Sequence, residues 1–178
     1  WNYAAACTPT AVLALDGRMH LISSDGESKV ICADDFFLGP LDTAKSESDI
    51  LLSVSFKKPE MRAGSAYKKW GLVKDALPVV GISAFIKLDS NSLCCEARIA
   101  LTGMGMGAQR TTAGETALLG SGGDLKSIEA ATDTICSTID APTDLSATSD
   151  YRHQLIRSLG SEVILSAFKR ASNSSAGS

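Results

Sequence analysis

The stretch from Asp75 to Gly107 constrains the fold more than any other part of this chain. Two apolar runs, ALPVVGISAFIKL (residues 76 to 88) and CCEARIALTG (residues 94 to 103), flank the turn-forming Asp89, Ser90 and Asn91. Rich in Val, Ile and Phe, the runs predict two antiparallel strands. A sheet with one covered face needs a partner, and the cover on offer is the helical sequence after Thr111. There Ile128, Ile135 and Ile139, then Leu155, Leu159, Val163 and Phe168, recur at helical spacing. The expected fold class is α+β, an antiparallel sheet with helices packed on one side.

The remaining elements follow in order. Residues 1 to 16 are small and apolar, and Pro9 places a helix start at about that point. MHLISS, Asp25-Gly26 and KVICA read as a hairpin, since Asp-Gly is the strongest short-range hairpin signal. It ends at Asp34, Asp35, Phe36 and Phe37, and DILLSVSF (residues 49 to 56) reads as a further strand. The composition shifts at KKPEMRAGS, which sets a subdomain border near residues 57 to 64. SAYKKW (residues 65 to 70) is expected to join the central strand pair. Thr112 and Glu115 have the spacing of a capping box that opens a short helix stopped by Gly120. Asp124 is expected to cap a helix to about Ile139, and Ser149 or Asp150 a last helix from 151 to about 170. The tail from 171 to 178 has nothing to bury and reads as disordered.

Composition excludes several classes of function. With 44% hydrophobic and 21% charged residues the chain is globular, and no apolar run reaches the roughly 18 to 20 residues of a membrane helix. The expectation is a cytoplasmic protein without a membrane span. A net charge of -3 argues against nucleic acid, because Lys57, Lys58, Lys68 and Lys69 are the densest basic group. Five cysteines (Cys7, Cys32, Cys94, Cys95, Cys136) with no C-x-x-C pair argue against a disulfide framework and a zinc site, and read as reduced, small buried hydrophobes. No signal peptide is visible, and Trp at position 1 leads us to expect a fragment whose own start lies upstream.

Self-contained chemistry finds little support in these residues. Gly103, Gly105 and Gly107 lie between a strand and a helix, where a phosphate-cradling loop would sit, but they lack a third glycine at dinucleotide spacing. A tight strand exit with close backbone packing is the stronger reading. His20 and His153 have no evident Ser or Cys partner, and Asp34 and Asp35 read as strand-end and turn residues.

The order of segments carries more information than any one motif. ADDFFLGPLDTA (33 to 44), ILLSV (50 to 54), SAYKKW (65 to 70), EARIALTGMG (96 to 105) with Arg110 and Glu115, and DLSATSDYRHQL (144 to 155) resemble, in order, the FAD-binding medium subunit of molybdenum hydroxylases. That family includes aerobic carbon monoxide dehydrogenase and xanthine dehydrogenase. The resemblance implies that residues 1–58 end an FAD-binding PCMH-type domain. It further implies that residues 62–170 form the C-terminal flavoprotein domain, a three-stranded antiparallel sheet backed by helices.

The resemblance also implies cofactors and partners. FAD would take electrons from an iron-sulfur small subunit and pass them to an external acceptor, with molybdopterin on a large subunit and the iron-sulfur clusters on the small one. Leu51 matches a family position packed on the isoalloxazine, and Lys68 matches a lysine that contacts the flavin. The glycine-rich loops that hold the pyrophosphate in this family lie upstream of Trp1. Where the family has a segment like HADPASDLP, this chain has Tyr3 for an Asp, Ala4 for a Pro and Cys7 for the Asp that faces the flavin. These departures support an alternative, a non-catalytic assembly module of the same complex that no longer binds flavin.

Overall fold

The chain builds two antiparallel sheets, and the computed structural model describes residues 2–58, 60–73 and 75–174. Helix α1 (Cys7–Ala14) begins two residues before Pro9, which falls in the first turn where a missing N–H costs no helical bond. The expected hairpin follows as β1 (Arg18–Ile22) and β2 (Ser28–Cys32). Gly26 supplies its left-handed residue at φ 88° and donates to the Ser23 carbonyl at 3.0 Å. One turn of helix, α2 (Ala33–Phe36), leads to the small hairpin of β3 (Phe37–Gly39) and β4 (Asp42–Thr43). Strand β5 (Ile50–Ser55) then returns to pair with β1, giving the order β2-β1-β5 with β5 at the outer edge.

The second sheet is the one its apolar runs require. β6 (Ala63–Trp70), β7 (Val80–Leu88) and β8 (Cys94–Thr102) are antiparallel neighbours, and the two-residue β9 (Gln109–Arg110) adds a fourth strand beside β8. The turn between β7 and β8 is held by the Asp89 carboxylate, which accepts from the Asn91 N–H at 2.8 Å and the Leu93 N–H at 2.9 Å. Three helices follow: α3 (Thr112–Leu118), α4 (Leu125–Thr138) and α5 (Ser149–Asn173). None of the helices among the described residues is long and apolar enough to cross a membrane.

Strand alternation sorts the second sheet into two faces. Ala66, Ile82, Ala84, Ile86, Ile99 and Leu101 share one face and form the main core with Ile128, Ile135, Ile156 and Ile164 of α4 and α5. Gly64 lets α5 come close, since a Cβ there would stand 2.4 Å from the Ala167 carbonyl oxygen. The α+β fold with helices on that face is therefore as expected. The opposite face carries Tyr67, Phe85, Arg98 and Ala100, and α1 covers part of it. A second core joins Val12 and Leu13 of α1 and Met19 and Leu21 of β1 to Ala100 of β8 and Ala108 in the bend before β9.

Some local signals resolve differently. Thr111 precedes α3 without a side-chain cap bond, and Glu115 turns away from any capping box to accept from the Ile99 N–H at 2.8 Å. A buried strand N–H beside the Arg110 guanidinium is a stronger claimant for a carboxylate than a helix end. Asp124 does cap α4 by accepting from the Ser127 N–H at 3.0 Å. The cap of α5 is Thr148, ahead of the expected Ser149 or Asp150, and accepts from the Tyr151 N–H at 3.3 Å. That helix runs on to Asn173, so the tail begins later than the pattern suggested, and residues 175–178 lie outside the described residues. All five cysteines are free, yet only Cys94 is buried and Cys95 is exposed, because neighbours in a strand face opposite ways.

Candidate functional site

Leu51 sits in an unusual strand. A strand with one covered face should alternate between buried and exposed, but Ile50, Leu51 and Leu52 are 63%, 42% and 61% exposed. The cause is position: β5 has β1 on one side only, and its first half projects past the core. Leu51 lies opposite Leu21, which is buried, just after a register shift between His20 and Leu21. The result is an aliphatic ledge with an open hydrogen-bonding edge.

Lys68 stands on the other sheet. It shares the helix-covered face with Ala66, and its ammonium pairs with Glu162 of α5 in an exposed ion pair. Its neighbour Lys69 points to the opposite face with Tyr67 and donates to the Ala76 carbonyl at 3.0 Å. Burial, and after it the Cys7 thiol, push the Tyr67 phenol above its ordinary value, which keeps it protonated. The two residues expected from the sequence thus belong to separate sheets, Leu51 on an open apolar edge and Lys68 against a helix.

The glycine run is a tight strand exit. Gly103 has φ +87°, and a Cβ there would stand 2.2 Å from the Val79 carbonyl oxygen. Gly107, at φ +85°, packs on the side chain of Asn2, 2.7 Å from where its own Cβ would be. Asn2 is buried, donates to the Gly39 carbonyl at 2.8 Å, and its own side-chain oxygen has no partner among the described residues. Gly105 is less crowded, with Pro142 3.5 Å from where its Cβ would be, and with Gly103 it borders a cavity of about 520 Å³ that Arg152 also lines.

A charged network joins the two sheets. The Asp34 carboxylate accepts from Arg98 Nη2 at 3.0 Å and from Arg110 Nη1 at 2.8 Å. Arg98 also donates twice to the Leu13 carbonyl, and Arg110 Nε donates to Glu115 at 2.9 Å. Asp34, expected to be a turn residue, is therefore the link between the hairpin and the second sheet. The contact joins residues far apart in the chain, so neither periodicity nor spacing signals it. His20 bonds the Ser55 hydroxyl at 2.7 Å in an exposed pair, and the His153 ring contacts the Ile139 carbonyl at 3.2 Å. Neither has the third orienting group that nucleophilic catalysis requires among the described residues.

These residues fit one part of a flavin dinucleotide. The ledge of Ile50, Leu51 and Leu52 can cover an apolar ring face, as cofactor sites require. The Gly103 N–H already donates to the Ala4 carbonyl at 3.0 Å, whereas a pyrophosphate needs several converging open N–H groups. What these residues offer such a group is an exposed apolar ledge on β5.

Comparison with known proteins finds a family and several relatives. Residues 65–167 match the family model described as CO dehydrogenase flavoprotein C-terminal domain. The 6-hydroxypseudooxynicotine dehydrogenase complex subunit alpha of Paenarthrobacter nicotinovorans is 25% identical over 168 residues, covering 94% of this chain and 56% of that protein. The nicotine 6-hydroxylase medium subunit of the same organism is 27% identical over 167 residues, covering 94% of this chain and 58% of that protein. A solved carbon monoxide dehydrogenase from Hydrogenophaga pseudoflava, lacking the Mo-pyranopterin moiety of its cofactor, superimposes with a TM-score of 0.88 at 24% identity. That match covers 95% of this chain and 58% of that one. The chain thus spans a little over half the length of the relatives it matches.

Proposed function

The chain belongs to the CO dehydrogenase flavoprotein C-terminal domain family, and on that premise we propose that it is part of the flavoprotein subunit of a molybdenum hydroxylase. In this reading it helps to hold FAD, which takes electrons from an iron-sulfur small subunit and passes them to an external acceptor. A molybdenum large subunit completes the cytoplasmic complex. Residues 1–58 close an FAD-binding domain, and residues 62–170 form the C-terminal domain. The observation that carries the reading is the open aliphatic ledge of β5 beside a fold of this family.

The bound flavin would supply the electron-carrying chemistry. Leu51 excludes water from one ring face, which strengthens every electrostatic contact nearby. Lys68 brings a positive charge that favours an anionic reduced ring, and Glu162 holds its ammonium in the free chain. Because β6 is a sheet edge and the pair is exposed, a surface ion pair of this kind yields at little cost.

A second reading, an assembly module without flavin, is favoured by the Gly103 N–H being taken by the Ala4 carbonyl and Gly107 being packed on Asn2. The visible spectrum of the purified full-length gene product separates the two. Stoichiometric flavin absorbance is expected, with about tenfold weaker retention in Leu51→Asp, because a carboxylate against an apolar ring costs at least about 1.4 kcal/mol. A colourless protein that still assembles with its partners would favour the module.

A further inference from the structure

The free edge of a sheet offers unpaired N–H and C=O groups to any strand that reaches it, and folded proteins blunt such edges with charge, proline, brevity or a bulge. Among the described residues the two larger sheets have four edge strands, β2, β5, β6 and β9. β2 carries Lys29, β6 carries Lys68 and Lys69, and β9 is two residues long. β5 is different. Its sequence, ILLSVS, holds no charge and no proline, and Ile50 and Leu52 are more than half exposed. Leu52, which has no opposite residue in β1, makes a bulge, but Ser53, Val54 and Ser55 stay in regular pairing. The backbone of Ile50–Ser55 bonds β1 on one side and has no further backbone partner among the described residues. An uncharged, partly apolar edge is an aggregation site when left open, so this sequence suits a strand with a neighbour on both sides.

The faces of β5 say what that neighbour looks like. Leu51 lies opposite Leu21 and Val54 opposite Met19, both buried, and Val54 packs against the second core. Ser53 and Ser55 lie opposite His20 and Arg18, on the other face. Since cross-strand neighbours share a face, the arriving segment needs apolar side chains beside Leu51 and Val54 and polar ones beside Ser53 and Ser55. A source for it exists in the relatives, because this chain spans only a little over half of their length.

We propose that β5 is an interior strand of the intact protein, paired on its open side with a β-strand from a part of the flavoprotein subunit beyond these 178 residues. The inference rests on the reading of the chain as part of such a subunit, and not on a bound flavin. An added strand lies beside Leu51 in the plane of the sheet and a ring lies above it, so the two do not compete for space.

The test is site-resolved hydrogen exchange of the full-length gene product, at two protein concentrations with sedimentation of both samples. The N–H groups of β2 that face away from β1 are the open-edge reference and are expected to exchange freely. Those of β5 that face away from β1 are expected to exchange at least about tenfold more slowly than that reference. Equal exchange at the two edges would overturn the proposal, as would a gene product no longer than these residues. Protection of β5 that is lost on dilution, as a dimer dissociates, would also overturn it by giving the edge to a second copy. The visible spectrum of the same sample reads the flavin separately. Flavin absorbance with an unprotected β5 rejects this inference alone, whereas a protected β5 in a colourless protein upholds it and rejects the flavin.

Discussion

Asp144 shows how a single side chain settles where the last helix begins. Its carboxylate accepts from the Ser146 N–H at 2.8 Å and from Arg152 Nη2 at 2.7 Å. Arg152 in turn donates to the carbonyls of Pro142, Val79 and Gly103, tying the loop before α5 to the ends of β7 and β8. The Ser146 N–H first, and the Arg152 guanidinium with it, hold the Asp144 carboxyl below its ordinary value. A depressed carboxylate contributes stability that is present above the unfolded value of about 4 and is lost as pH falls through the lower folded value. Asp144→Asn is therefore expected to flatten the acid limb of the stability–pH curve below about pH 4 while changing its neutral slope little. Urea midpoints measured across that range check it. From the sequence, Asp144 and Arg152 belonged to a family-like segment, but nothing in their spacing revealed that a buried arginine would collect three carbonyls.

At the scale of elements, the pairing of β6 with α5 depends on the absence of a side chain. Gly64 faces α5 so closely that a methyl group would meet backbone atoms of Ala167 and Ala171, both at 2.4 Å. Backbone cannot rotate out of the way as a side chain can. Gly64→Ala is expected to cost roughly 3 kcal/mol, the range for overpacking a tight core, and to loosen α5 first. Hydrogen exchange along residues 149–173 is the readout, and unchanged protection there would refute it. The elements themselves were legible: alternation and turn residues marked β1, β2, β7 and β8, and helical spacing marked α4 and α5. Their ends were less so. The start of α1, the cap of α5 and the use of Glu115 depend on which partner wins a hydrogen bond, and the partners arrive from distant chain segments.

For the whole molecule, the composition shift at KKPEMRAGS suggested a border, but the packing crosses it. The second core contains residues of α1 and β1 together with Ala100 and Ala108, and Asp34 is shared by Arg98 and Arg110. Shared apolar burial and shared charges make separate unfolding costly, so the chain is expected to unfold in one transition. Coincident urea curves from far-UV ellipticity and tryptophan fluorescence would bear this out, and two separated midpoints would refute it. The sequence by itself determined the α+β class, the sheet that α4 and α5 cover and the family resemblance, because periodicity and turn chemistry act over neighbouring residues. Only the tertiary structure decided that Leu51 lies on an open ledge, that Lys68 faces α5 while Lys69 faces away, and that Arg98 gathers the Leu13 carbonyl, Asp34 and Asp16 around one guanidinium. Exposure at a sheet edge and the closing of charges across two sheets depend on what lies opposite in space, and spacing along a chain carries no record of that.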